Sequence, residues 1–373
     1  MNFGFSEEQE LLRSTAREFL ARELPMTAVR ELMDDPRGYK PGVWAKMAEL
    51  GWLGLLLPEE YGGAGLTLVD EIVVAEELGR ALTPSPFFAT FQGALAVLHG
   101  GSETQKKELL PDVAAGRKIL TFAISEESGN ENPDELTTLA ERKGAGYSLT
   151  GTKLFVPDAQ NADVLVVAAR SGAPGEAGVD LFLVEKGAPG MAITPLKSMD
   201  QTRRIAEVRF AETPAQLLGA PGSGWGTWKT VRSHALVHLA AEALGGAGKV
   251  LEDSVKYAKE RVQFGKPIGV NQAIKHKCAD MLIQVESSKS ISYYAAWAVA
   301  ENTPEAELAA SMAKAYTSDA YRATSAENIQ IHGGVGFTWE YDCHLYFKRA
   351  KAIEVTYGDP AEHRERVAQL LKL

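Results

Sequence analysis

The sequence predicts an α+β protein with an N-terminal helical domain, a central β-barrel or sandwich and a C-terminal helical bundle. Three observations predict it. Apolar residues recur at helical spacing to about residue 120, whereas from Leu120 to Phe210 they fall into short runs punctuated by Gly, Pro and Asp. After the Gly-rich turn Gly219 to Gly226, long helical patterns return. At 373 residues and 45% apolar side chains the chain is long enough for several domains, and the pattern changes put them at 1–119, 120–222 and 223–373.

In the first block Ser6 and Gln9 carry a capping-box signature ahead of a stripe of Leu11, Leu12, Ala16, Phe19 and Leu20. Val43, Trp44, Met47 and Leu50 predict a short helix, Ile72 to Leu78 another, and Ser102 with Gln105 opens a third. Pro58-Glu59-Glu60-Tyr61-Gly62-Gly63-Ala64-Gly65 reads as a loop, because its glycines supply the positive φ that other residues resist.

Strands are expected at Leu120 to Ile124, Tyr147 to Thr150, Val164 to Val167 and Val179 to Val184. No long helix separates them and no Gly-x-Gly-x-x-Gly follows the first, so a doubly wound dinucleotide domain fits poorly. Helices are then expected over Trp228 to Arg261, Asn271 to Ala300, Pro304 to Ile331, Tyr341 to Glu354 and Pro360 to Leu370. Pro304 suits a helix start, where a missing N–H costs nothing. Long helices with short joins favour an antiparallel bundle that packs between subunits as well as within one.

Composition narrows the partners. With 49 acidic residues against 39 Lys plus Arg, the net charge of -10 argues against a nucleic-acid surface. Met1 to Glu10 lacks a secretion signal, and no apolar run is long enough for a membrane span. Cys278 and Cys343 lack metal-ligand spacing and the His residues are scattered, so two buried thiols in a reducing cytoplasm and no metal are expected.

Four segments carry chemistry. Ala123 to Gly129, after a strand, has polar groups suited to an aromatic heterocycle or to a simple loop cap. In Arg261 to Ile268 an Arg beside a glycine turn suits a pyrophosphate and Phe264 an apolar ring, although an Arg closing a helix would look the same. Gln330 to Phe337 pairs glycines after a helix, which either opens backbone N–H groups to a ligand or makes a C-cap. Lys348 to Pro360 is a basic helix followed by a Gly-Asp-Pro turn.

In this order and separation the segments resemble the acyl-CoA dehydrogenase family. Pro58 to Gly65 is similar to its Pro-Glu-Glu-Tyr-Gly-Gly loop, Phe122 to Glu126 to its flavin-contacting strand end, and Gly151 to Val156 to its Gly-x-Lys-x-Trp-Ile segment. The resemblance covers essentially the whole chain. It implies FAD held between the last two domains and completed by another subunit. Arg261 and Gln272 would then address the phosphates or adenosine part of a neighbour's cofactor, with Phe264 packed nearby. Gln330, Gly333 and Gly334 would make close polar and backbone contacts, and Ser125 would sit near the isoalloxazine ring. The implied reaction removes the proton α to a thioester carbonyl with a carboxylate while hydride leaves the β-carbon for the flavin. That base must lie within about 3 Å of the proton.

The resemblance breaks at the base. Counting from Ala350-Lys351 places Tyr357 at the family's glutamate, and a phenol of ordinary pKa about 10 is a poor base near neutrality. The alternative base position, on the first long C-terminal helix, falls at Ala235. Glu242, about two turns farther, and Asp359, beside the missing base, are the remaining candidates for the catalytic carboxylate. Phe155-Val156-Pro157 replaces Trp-Ile-Thr, and Gln201-Thr202-Arg203-Arg204 replaces Arg-x-Ser-x-Thr.

Three readings follow. The chain is a dehydrogenase of acyl-CoA thioesters with an unusual carboxylate; or half of a heteromeric dehydrogenase, as in family members acting on bulky acyl-CoAs such as steroid side-chain thioesters; or a non-catalytic acyl-CoA-binding or assembly subunit. The resemblance further implies a homo- or heterotetramer with a related subunit, and an electron-transfer flavoprotein as redox partner.

Overall fold

The computed structural model describes residues 5–129, 131–144 and 146–373, which form two compact units that do not follow chain order. One comprises the residues up to Arg30, Leu68–Thr83 and Leu236–Leu373; the other comprises Glu31–Thr67 and Pro84–Ala235.

The helices of the first part are α1 (Glu7–Glu23), α2 (Met26–Asp34), α3 (Pro41–Glu49), α4 (Leu68–Arg80), α5 (Phe87–Gly100) and α6 (Glu103–Ala114). Both capping boxes read from the sequence form: Ser6 and Ser102 accept from the backbones of Gln9 and Gln105, whose side chains accept in return. Of the α1 stripe, Ala16, Phe19 and Leu20 are buried, but Leu11 faces solvent.

The strands are β1 (Leu120–Ala123), β2 (Leu139–Lys143), β3 (Gly146–Pro157), β4 (Val164–Arg170), β5 (Val179–Glu185), β6 (Met191–Pro195) and β7 (Ile205–Leu217). They make one mixed sheet: β1 runs parallel to β4, while β4 with β5, β3 with β7, β2 with β3, and β6 with β7 are antiparallel. The sheet turns back on itself through two slight joins, Phe182 and Leu183 opposite Leu217 and Gln216, and Leu139 opposite Arg170. Closure this thin gives a sandwich-like sheet and not a barrel. Strands β2, β6 and β7 escape a reading that seeks apolar runs, because their outward faces carry Glu141, Thr194, Arg209 and Glu212.

The rest comprises α7 (Gly224–Glu260), the hairpin β8 (Val262–Gln263) and β9 (Lys266–Pro267), α8 (Gln272–Ala300), α9 (Ala306–His332), α10 (Cys343–Val355) and α11 (Pro360–Leu370). The unit boundary falls within α7. Helix α9 starts later than Pro304, which lies in a turn closed by Ala306 N–H donating to Thr303 O (3.0 Å). Two glycines let α4 and α7 cross backbone to backbone. A β-carbon on Gly79 would stand 2.1 Å from Glu242 O, and one on Gly245 would stand 1.8 Å from Glu76 O.

Cys343 is buried as expected; Cys278 is only half-buried, since α8 leaves much of its surface outside the core. Among the described residues no helix is long and apolar enough to cross a membrane.

Candidate active site

Six of the expected cofactor residues gather at one end of the helical unit. The Tyr257 ring on the last turns of α7 stacks on His332 at the end of α9, centroids 4.1 Å apart. Ile268 N–H donates to Arg261 O (2.8 Å) and brings the chain back to the start of α8 at Gln272. Between these points, Phe264 (φ 51°) and Gly265 (φ 77°) form a two-residue hairpin turn with both residues left-handed, as a type I′ connection requires. Phe264 is fully exposed at its tip, and Arg261 and Gln272 are exposed at its base. Across the stacked rings, Gln330 is exposed and α9 ends at Gly333 (φ 66°). A β-carbon on Gly333 or Gly334 would meet nothing within 4 Å.

A guanidinium, two carboxamides, an open glycine backbone and a free-standing aromatic ring suit a diphosphate attached to a ring system. This donor set fits FAD.

Ser125, the seventh residue, lies in the other unit, half-buried just after β1. Its surroundings contain a group the sequence reading did not pair. Lys153, fully buried on β3, donates from Nζ to Glu126 Oε1 (2.6 Å) and Ile124 O (3.0 Å). Glu126 also accepts from the backbone and hydroxyl of Thr137 (2.6 Å each) and from Thr138 N–H (3.0 Å). Burial opposes ionisation of Glu126, but Lys153 and the threonine donors win and hold its carboxyl at about 2. Burial lowers the Lys153 ammonium to about 8 against the pull of Glu126, so both are charged at neutral pH. The signal was present in the sequence: a lysine inside a strand at inward parity needs a buried acid.

The two candidate bases have occupied surroundings. Asp359 is the N-cap of α11, its Oδ1 accepting from Ala361 N–H (2.8 Å) and Glu362 N–H (2.9 Å) while Glu362 closes the capping box. Glu242 is 4% exposed and sits in a four-member charge cluster. His238 presents Nδ1 to Glu71 Oε1 (2.7 Å) and Nε2 to Glu242 Oε1 (3.3 Å), and Arg349 NH1 stands 3.8 Å from Glu242 Oε2. Burial alone would lower the His238 imidazole, yet Glu71 and Glu242 raise it to about 9, so it is a cation at neutral pH. Ala235 is fully buried.

Tyr357 is buried at φ 57°. Its turn is fixed from three sides: buried Lys314 donates to Glu354 O (3.1 Å) and Gly358 O (3.0 Å), His363 Nε2 donates to Tyr357 O (3.0 Å), and the Asp359 cap follows. Arg204 donates to the carbonyls of Leu32 (2.8 Å), Met33 (2.9 Å) and Asp35 (2.6 Å), closing the C-terminal end of α2.

A helical N-terminal part, a mixed sheet and a long-helix C-terminal part with this hairpin define a flavoprotein-type dehydrogenase scaffold, and the chain belongs to the acyl-CoA dehydrogenase family. The N-terminal, middle and C-terminal domains of acyl-CoA dehydrogenase match residues 6–117, 121–213 and 222–372. The chain is 34% identical to acyl-CoA dehydrogenase IpdE2 of Mycolicibacterium smegmatis over 365 residues, covering 97% of this chain and 98% of that protein. Butyryl-CoA dehydrogenase from Megasphaera elsdenii superposes with a TM-score of 0.92 at 28% identity, covering 100% of both chains. A chain of the Tcur3481-Tcur3483 steroid ACAD superposes with a TM-score of 0.90 at 31% identity, covering 98% of each.

Proposed function

We propose that this chain is a subunit of an FAD-dependent enzyme that removes hydrogen across the α and β carbons of an acyl-CoA thioester, working in a tetramer with a related subunit. The observation that carries the reading is the end of the helical unit that presents exposed Arg261, Gln272, Gln330, Gly333 and Gly334 together with a hairpin whose Phe264 is fully exposed. A phenylalanine at positive φ in water is costly for an isolated subunit and suited to insertion beside a ligand or partner.

When bound, FAD supplies the hydride acceptor. The chain's own residues divide between cofactors: Arg261 and Gln272 address the phosphates or adenosine part of a neighbour's FAD, Gln330, Gly333 and Gly334 make close polar and backbone contacts, and Ser125 and Phe155 address an isoalloxazine ring. Tyr357 offers a phenol and no carboxylate at the family's base position. Glu242 serves His238 and Arg349, and Asp359 serves the α11 cap. These occupations favour the heteromeric reading, in which a related subunit provides the carboxylate and this chain completes its site. Electrons would pass to an electron-transfer flavoprotein.

Purified protein tests the reading by its visible spectrum and by gel filtration. A flavin spectrum with a mass above that of the monomer is expected. A colourless monomer that binds no thioester would contradict the reading, and a colourless oligomer that binds acyl-CoA would favour an assembly subunit instead.

A further inference from the structure

We infer that the buried Lys153–Glu126 pair is a positioning device that sets Ser125 and Phe155 for the flavin ring system; the inference rests on the flavin reading above. Lys153 Nζ holds the chain on both sides of Ser125, at Ile124 O and at the Glu126 carboxylate. Ser125 O itself accepts from Leu154 N–H (2.9 Å). The segment leaving β1 is thus tied to β3 at three successive residues, although it has left the sheet.

The same lysine fixes Phe155. In a regular strand residue 155 would share the inward face of residue 153. Here β3 bulges: Lys153 pairs with Val208 and Val156 with Ala206, so Leu154 and Phe155 together oppose Glu207. Lys153 and Val156 both point inward, and Phe155 turns out at φ 54° with 56% of its surface exposed. An aromatic residue in a left-handed bulge is held against its own preference, and the two residues before it are anchored by Leu154 N–H on Ser125 O and by the buried Lys153 ammonium.

Packing does not require such a pair. Buried ion pairs are often replaced by apolar residues of similar volume without loss of stability. What an apolar replacement cannot do is reach a carbonyl and a carboxylate on the far side of Ser125.

The test is FAD titration of Lys153→Met and Thr137→Val against wild type, following flavin fluorescence and the visible band. Thr137→Val removes one donor to Glu126 and leaves the ion pair. Arg204→Met, which loosens the same unit at α2, reports on stability alone. Lys153→Met is expected to weaken FAD binding at least about tenfold and to alter the band, and Thr137→Val about threefold, whereas Arg204→Met lowers the melting temperature and leaves the band unchanged. Should Lys153→Met not fold, Thr137→Val decides. Wild-type affinity and band shape in the folded Lys153 and Thr137 variants overturn the inference. Wild type that takes up no FAD overturns the flavin reading beneath it.

Discussion

A β-carbon at φ 57° costs Tyr357 about 1 kcal/mol relative to right-handed backbone, and contacts from Lys314 and His363 hold it there. Lys314→Met leaves the carbonyls of Glu354 and Gly358 without that donor inside the protein. A loss of about 2 kcal/mol in urea unfolding is expected, and an unchanged midpoint would remove Lys314 as the anchor of the turn. The identity of Tyr357 was legible in the sequence from its spacing to Ala350-Lys351; its backbone was not, because positive φ outside glycine follows from tertiary contacts. Asp359 carries a second legible signature beside its closeness to the family's base position. Asp-Pro-Ala-Glu is a capping box with Pro at the first helical position, and it forms in the structure. The resemblance makes Arg261 a candidate phosphate ligand. Arg261→Ala is expected to lower the flavin-to-protein ratio after gel filtration, and an unchanged ratio would count against its phosphate role.

The spacing of Glu242 from Ala235 is legible in the sequence, but its partners are not. Its partners come from α4, α7 and α10, and only the fold brings Glu71, His238 and Arg349 to one point. His238 has its folded pKa raised from 6.5 to about 9. Its contribution to stability is therefore complete below about pH 6.5 and is lost as pH rises through about 9. Thermal melts from pH 6 to 10 should show that loss in wild type and a flatter profile in His238→Gln; identical profiles would contradict it. Glu242→Gln should cost about 3 kcal/mol, read by chemical denaturation, because it weakens the partner of two buried cations. The strands illustrate the same limit. β4 and β5, apolar along almost their whole length, are legible as strands; β7, with Glu207, Arg209 and Glu212, is not.

Within the helical unit, Leu282, Ile283, Tyr294 and Trp297 on α8 and Met312 and Tyr316 on α9 are exposed, in addition to Phe264 on its hairpin. This much apolar surface on one unit fits burial between subunits. Long helical patterns with short joins anticipated that assembly, but nothing in their periodicity distinguished a second copy from a related chain. That distinction depends on where the proton acceptor resides. Anaerobic addition of an acyl-CoA to the FAD-bound chain expressed alone, monitored by bleaching of the oxidised flavin band, tests it most directly. The account predicts little bleaching in wild type, Glu242→Gln or Asp359→Asn, and thioester-dependent bleaching in Tyr357→Glu. Full bleaching of the wild-type chain alone, abolished by Glu242→Gln or Asp359→Asn, would contradict it.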